Sequence, residues 1–309
     1  MSVWLPTATC TPRTCLTEPG PVVARSRRVL RLAAFLVVLL TGLALVPPVR
    51  ALPRGPRHLL VRSWARALLG ALGVTVRFGP DPGAAAAPAA STGTGTGGGG
   101  GNGTDAGRGT GTGVASGGAP TGVLVVANHV SWLDIPLIAA RQPGRSIAKT
   151  EVRRWPVLGP LVAWGGTVFL DRDRLRALPA AVDTVAAALH AGHPVVVFPE
   201  GSTWCGKESG RFRPALFQAA VQAGAAVQPV TIRYRLADGS PTSAAAFVGD
   251  DGLLNSLARV LAVRGLVAEV TFLPPIPVPL ERPGRGGPGC RARRDLARTA
   301  QAAVEAGGR

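Results

Sequence analysis

The chain has 309 residues, enough for one large domain or two small ones, and 46% apolar residues, enough for a buried core. Its formal charge is +17, carried almost wholly by arginine, with Lys149 and Lys207 as the exceptions. That charge suits any anionic partner, but no basic patch interleaved with aromatics and no nucleic-acid motif is present, so no nucleic-acid partner is expected.

Residues 1–24 are irregular in composition and are expected to be disordered. Arg25, Arg27, Arg28 and Arg31 then precede an uncharged run, 32–49, that ends around Pro47 and Pro48. The clean helical part, Leu32 to Val46, would be about 22 Å long, short of a hydrocarbon core of about 30 Å. Membrane attachment is therefore expected, as a span helped by Val29 and Leu30 or as a re-entrant segment. A signal peptide competes with that reading, but the start is long for one and no A-x-A site follows the run. Residues 1–57 form the disordered start and membrane segment in this reading, and 58–309 a catalytic domain taken to be cytoplasmic.

The next stretch, "HLLVRSWARALLGALG", places Val61, Trp64, Ala65, Leu68, Leu69 and Leu72 on one helical face, with Arg54, His58, Arg62 and Arg66 on another. It fits a membrane-interface helix or an ordinary domain helix equally well. A short strand, "VTVRF", follows. Residues 79–121 are Gly, Ala, Thr and Ser with Val114 as the only branched aliphatic. Such a segment cannot offset about 1–2 kcal/mol of backbone entropy per ordered residue, so a disordered insertion is expected. Its formal G-x-G-x-x-G (Gly93, Gly95, Gly98) has no strand before it and no helix after it, and is set aside.

Beyond the insertion, strand-like runs ("VLVVAN", "GTVFLDR", "PVVVFPE", "VQPVTIRY", "AEVTFLP") alternate with helices at about 136–141, 178–191, 214–223 and 291–306. This predicts an α/β domain whose mostly buried sheet is flanked by helices. Pro229 within "VQPVTIRY" implies an edge strand or a bulge.

Three strand ends carry chemistry. In "NHVSWLD", Asn128 closes an apolar strand, so His129 falls at the carboxyl edge of the sheet, where α/β sites usually lie. Asp134 can reach back to one imidazole nitrogen and leave the other as a base; it could equally be a helix N-cap. "GGTVFLDR" delivers Asp171 and Arg172 to a strand end, and a guanidinium fork suits phosphate. "VVVFPEGST" ends in Glu200, then Gly201 and Ser202. Ser131 and Cys205 are alternative nucleophiles, but no G-x-S-x-G elbow accompanies either. His190 and His193 read as structural groups at a helix end. Cys10, Cys15, Cys205 and Cys290 stand too far apart for a disulfide framework or a zinc signature. No metal is expected.

Together the blocks resemble the glycerolipid (lysophospholipid) acyltransferase superfamily, whose type members acylate 1-acylglycerol-3-phosphate. The N-H-x4-D block matches at Asn128, His129 and Asp134, the G-x-x-F-I-D-R block at Gly166, Phe169, Leu170, Asp171 and Arg172. The F-P-E-G-T-R block matches at Phe198, Pro199, Glu200, Gly201 and Ser202, and Thr203 stands where the family has Arg. The V-P-V block aligns with Gln228, Pro229 and Val230, and Lys149 and Glu151 fit the connecting pattern. The resemblance implies a glycerol-3-phosphate acyltransferase-like fold and transfer of an acyl group from acyl-CoA or acyl carrier protein, as co-substrate and without a cofactor, to a membrane lysophospholipid. It implies His129 and Asp134 as the catalytic pair, and Asn128, Lys149, Asp171, Arg172, Glu200, Gly201 and Ser202 as substrate-binding residues. With Thr203 in place of Arg, the second cation for a phosphate would come from Lys207, Arg211 or Arg213, or the acceptor carries another head group.

Overall fold

The computed structural model describes residues 8–16, 20–80, 121–154, 159, 162–163, 165–170, 175–278 and 288–308. The helices are α1 (Pro12–Cys15), α2 (Arg25–Ala51), α3 (Arg54–Ala71), α4 (Asp134–Ala139), α5 (Leu178–His190), α6 (Phe217–Ala223), α7 (Leu253–Ala262) and α8 (Pro288–Gly307). The strands are β1 (Val74–Phe78), β2 (Leu124–Ala127), β3 (Arg145–Lys149), β4 (Val168–Leu170), β5 (Val195–Val197), β6 (Val227–Arg235) and β7 (Leu266–Phe272).

The strands form one sheet in the order β1-β7-β6-β2-β5-β3-β4. Every pairing is parallel except β6 with β7. β2 lies at the centre and is buried on both faces, which is why it reads as an unbroken apolar run. Alternation splits its side chains between two cores. Val125 and Ala127 join a cluster that includes residues of α2, α3, α4 and α7, while Leu124 and Val126 join one built with α5, α6 and α8. Helices thus cover both faces, as the sequence predicts. α6 stops where Gly224 takes φ +59°, a left-handed cap that a side chain would disfavour.

Pro229 is not on an edge. It sits in interior β6 opposite Val126 of β2. Its missing N–H is accommodated by a bulge on the other side: the Val230–Phe272 pair and the Val227–Ile276 bridge are three residues apart on β6 but four on the partner.

Besides α1, two elements escape the sequence reading. β3 holds a single branched aliphatic, Ile147, and α7 lies in a stretch otherwise rich in Ala and Gly. The N-terminal region also differs from expectation. Part of the start is placed: Cys10 and Val23 are buried, and Val22 bridges to Val263. α2 continues through Pro47 and Pro48 to Ala51, and its 27 residues make about 40 Å of helix. Among the described residues it is the one helix long and apolar enough to cross a membrane, judged by length and composition.

α2 is docked on the domain rather than separate from it. The Arg31 guanidinium donates to the Leu261 and Val263 carbonyls at the end of α7, at 2.9 and 2.8 Å. Phe35 and Leu39 enter the core, and the Trp64 indole of α3 donates to the Val38 carbonyl at 2.9 Å. This contact needs Gly42, where a Cβ would meet the Trp64 Nε1 at 2.2 Å. Gly42→Leu is expected to wedge α2 from α3 and cost about 1–3 kcal/mol of stability. Thermal unfolding in detergent would show the loss as a lower Tm, and an unchanged Tm would mean that the helix pair does not depend on this approach.

Candidate functional site

β2 and β5 are parallel neighbours with Val126 in register with Val197. The residues after them, Asn128-His129 and Phe198-Pro199-Glu200, therefore leave the sheet side by side at its carboxyl edge. Asn128 completes the β2–β6 ladder: its Nδ2 donates to the Ile232 carbonyl at 2.9 Å, and its Oδ1 accepts from the Ile232 N–H at 2.8 Å. The amide expected to touch substrate instead sets the exit of β2.

His129 Nδ1 lies 2.9 Å from Asp134 Oδ2. A carboxylate only accepts, so Nδ1 carries the proton and Nε2 keeps a lone pair. The N-cap alternative for Asp134 fails, because α4 begins at Asp134 and its N-cap, Leu133, makes no side-chain cap bond. The buried carboxylate turns back instead. Its Oδ2 also accepts from the Val130 and Ser131 amides at 2.7 and 2.9 Å, and its Oδ1 accepts from the Tyr234 hydroxyl at 2.6 Å. Burial, then the charge of Asp134, pushes the Tyr234 phenol well above its ordinary value, so it stays a donor. Tyr234 is absent from the sequence reading, although it is the chain's single tyrosine and lies in the strand expected to carry the last block.

The His129 ring stacks on Phe198 with centroids 3.9 Å apart and planes 14° from parallel. Its backbone is fixed as well: the N–H donates to Glu200 Oε2 and the carbonyl accepts from the Trp204 N–H, both at 2.8 Å. Glu200 is buried, and its Oε1 accepts from the Gly210 amide at 3.1 Å. It was expected to bind substrate hydroxyls; in the structure each of its oxygens accepts from a backbone amide, which fixes the turn at His129. Gly201 makes the turn at φ +74°.

His129, Gly201 and Ser202 line a cavity of about 1740 Å³ whose walls include Phe35, Leu39, Trp64, Ile135 and Leu257. Arg213 also lines it, whereas Lys207 and Arg211 are exposed outside its lining. Thr203 donates its hydroxyl to the Phe247 carbonyl. Lys149 ends β3 and Leu170 ends β4 at the same edge as His129, but the Lys149 side chain and both Asp171 and Arg172 lie outside the described residues. The alternative nucleophiles are enclosed: Ser131 is fully buried with its hydroxyl accepting the Leu133 amide, and Cys205 is buried in the core. His190 Nδ1 meets the Ala186 carbonyl at 3.0 Å, as a helix-end histidine would.

An oriented His–Asp pair at the carboxyl edge of an α/β sheet, opening on an apolar cavity, has the build of an enzyme that activates a hydroxyl beside a bound acyl chain. Residues 117–233 match the family model described as Acyltransferase. It is 43% identical over 167 residues to a lyso-ornithine lipid O-acyltransferase of Pseudomonas aeruginosa, covering 52% of this chain and 62% of that one. It is 41% identical over 154 residues to a 1-acyl-sn-glycerol-3-phosphate acyltransferase of Neisseria gonorrhoeae, covering 50% and 60%. The match thus spans about three fifths of the length of these relatives. In fold, the crystal structure of the 1-acyl-sn-glycerophosphate acyltransferase PlsC from Thermotoga maritima aligns with a TM-score of 0.51 at 17% identity, over 89% of this chain and 97% of that one.

Burial raises Glu200 from its ordinary 4.5 to about 7, the charge of Asp134 adds to the rise, and the two amide donors oppose it. Between those values the folded protein holds a proton that the unfolded chain has lost. The associated stability is complete below about pH 4.5 and is lost as pH rises toward 7. Relative to Glu200→Gln, the wild-type Tm is expected to fall across this window. A constant difference between the two proteins from pH 4.5 to 7 would show that Glu200 does not titrate there.

Proposed function

We propose that the protein transfers a fatty acyl group from an acyl-CoA or acyl carrier protein thioester to the sn-2 hydroxyl of 1-acylglycerol-3-phosphate, giving phosphatidic acid for phospholipid synthesis. The observation that carries this is the His129–Asp134 pair on an apolar cavity: Nδ1 is committed to the carboxylate while the ring borders a space lined by aliphatic side chains. Nε2 takes the proton of the lipid hydroxyl as its oxygen bonds to the thioester carbonyl carbon. The tetrahedral adduct collapses, the carbon–sulfur bond breaks, and the imidazolium returns the proton to the departing thiolate. Asp134 holds the ring and offsets the imidazolium charge. No enzyme-bound acyl group is needed, in keeping with the burial of Ser131 and Cys205.

The acceptor phosphate is assigned to Arg172 and Lys149 of the family blocks together with Arg213 on the cavity wall. A second reading, a lyso-ornithine lipid acceptor, is favoured by Thr203, whose hydroxyl is engaged by Phe247 where the family pattern has a cation. The name of the Pseudomonas relative points the same way.

The acyl chain is proposed to enter from a membrane. Leu36 and Leu40 of α2, Leu60 of α3 and Leu254 of α7 are exposed and also line the cavity, so an apolar surface runs on into the site. α2 supplies most of it, whether it spans or lies in the interface.

The test is thiol release from oleoyl-CoA by detergent-purified protein, with 1-acylglycerol-3-phosphate or lyso-ornithine lipid as acceptor. His129→Ala is expected to lose about 10²–10⁴-fold of the acceptor-dependent rate, with an unchanged circular dichroism spectrum. Near-normal turnover by this variant would sink the mechanism, and the preferred acceptor decides between the two readings.

A further inference from the structure

Three of the four cysteines meet in space. Cys10 and Cys15 bracket α1, where Thr11 caps the turn by accepting the Thr14 N–H at 3.3 Å and brings Cys15 back beside Cys10. Cys205 joins them from the loop after Glu200, and the three sulfurs lie within 4.8 Å of one another. Cys10 and Cys205 are buried, and Cys15 is partly exposed, which opens the cluster to solvent on one side. Packing as small apolar groups accounts for the first two. It does not account for Cys15, which stands at the surface with its sulfur 3.5 Å from the Thr14 hydroxyl.

We propose that Cys10, Cys15 and Cys205 form a three-thiolate site for a soft d10 cation of the Zn²⁺ type. At a Zn–S length of about 2.3 Å a tetrahedral set holds its sulfurs about 3.8 Å apart, so the observed cluster needs about an ångström of adjustment to close on an ion. Thiolates select Zn²⁺ or Cu⁺ over hard cations, and three of them leave a fourth position for water. Thiolates, not thiols, bind the ion, so ligation displaces thiol protons. A bound ion would brace residues 10–15 against the loop whose Trp204 amide holds the His129 carbonyl.

The test uses the full chain in detergent with Cys290→Ser as background, which removes the exposed fourth thiol. Cd²⁺ alone is titrated, reading the ultraviolet thiolate-to-cadmium charge-transfer band and the number of thiols still open to a thiol reagent, with Zn²⁺ as competitor. A band saturating at one ion per chain, displaced by Zn²⁺ and protecting all three thiols, is expected. Cys15→Ser should weaken binding by about 100-fold or more, beyond the loss of an outer-shell partner. No saturable band, or undiminished affinity in Cys15→Ser, overturns the proposal. So does a Cys10–Cys205 disulfide in anaerobically purified, metal-free protein, which would make the cluster a redox pair. The protection count needs only the background protein, so it decides the matter even if Cys15→Ser does not fold.

Discussion

The buried carboxylate of Asp134 is the contact on which the site depends. A charge without solvent is tolerated only where donors replace the water, and here they come from the His129 ring, the Val130 and Ser131 amides and the Tyr234 hydroxyl. These donors belong to the exit of β2, the turn before α4 and the far end of β6, so one side chain ties together three parts of the chain. Its oxygens are satisfied only when β2 and β6 are in register, which Asn128 enforces separately through Ile232. The sheet and the catalytic geometry are therefore one arrangement.

Glu200 repeats the device from β5, with the backbone of His129 as its target. His129 is consequently held at four points: ring nitrogen, ring face, amide and carbonyl. In the proposed mechanism, a base held in this way needs little reorganisation when a hydroxyl arrives. Two carboxyls so close disfavour a shared full charge, and the raised Glu200 relieves that by keeping a proton into the neutral range. Glu200 thus holds backbone, and Asp134 holds the imidazole.

The fold class and the His–Asp pair were legible because buried parallel strands write themselves as apolar runs and their ends fall at one edge. "RSIAK" escaped because β3 contributes a single branched aliphatic, whereas α7 did carry a legible signal, Leu253, Leu257, Val260 and Leu261 at helical spacing. The backbone contacts of Asn128 and Glu200 were not legible for a different reason. A polar residue at a strand end looks the same in sequence whether it grips a ligand or the neighbouring backbone, and only the Ile232, His129 and Gly210 partners separate the two. The cysteines were read by their spacing along the chain, which hides a contact made through the return of the N-terminal turn to the core.

The place of β1 bears on how the sheet meets the site. β1 pairs with β7 at one margin of the sheet and, by the chain of pairings, runs opposite to β2. By register, Phe78 at the end of β1 lies level with Val270 and Ile232, and so with Asn128 at the exit of β2 rather than with Leu124 at its start. β1 thus ends level with the exit of β2, beyond the last rung of the β2–β6 ladder. Among the described residues, the contacts that hold His129 come from the turn into α4 and the loop after β5, so β1 widens the sheet without entering the site.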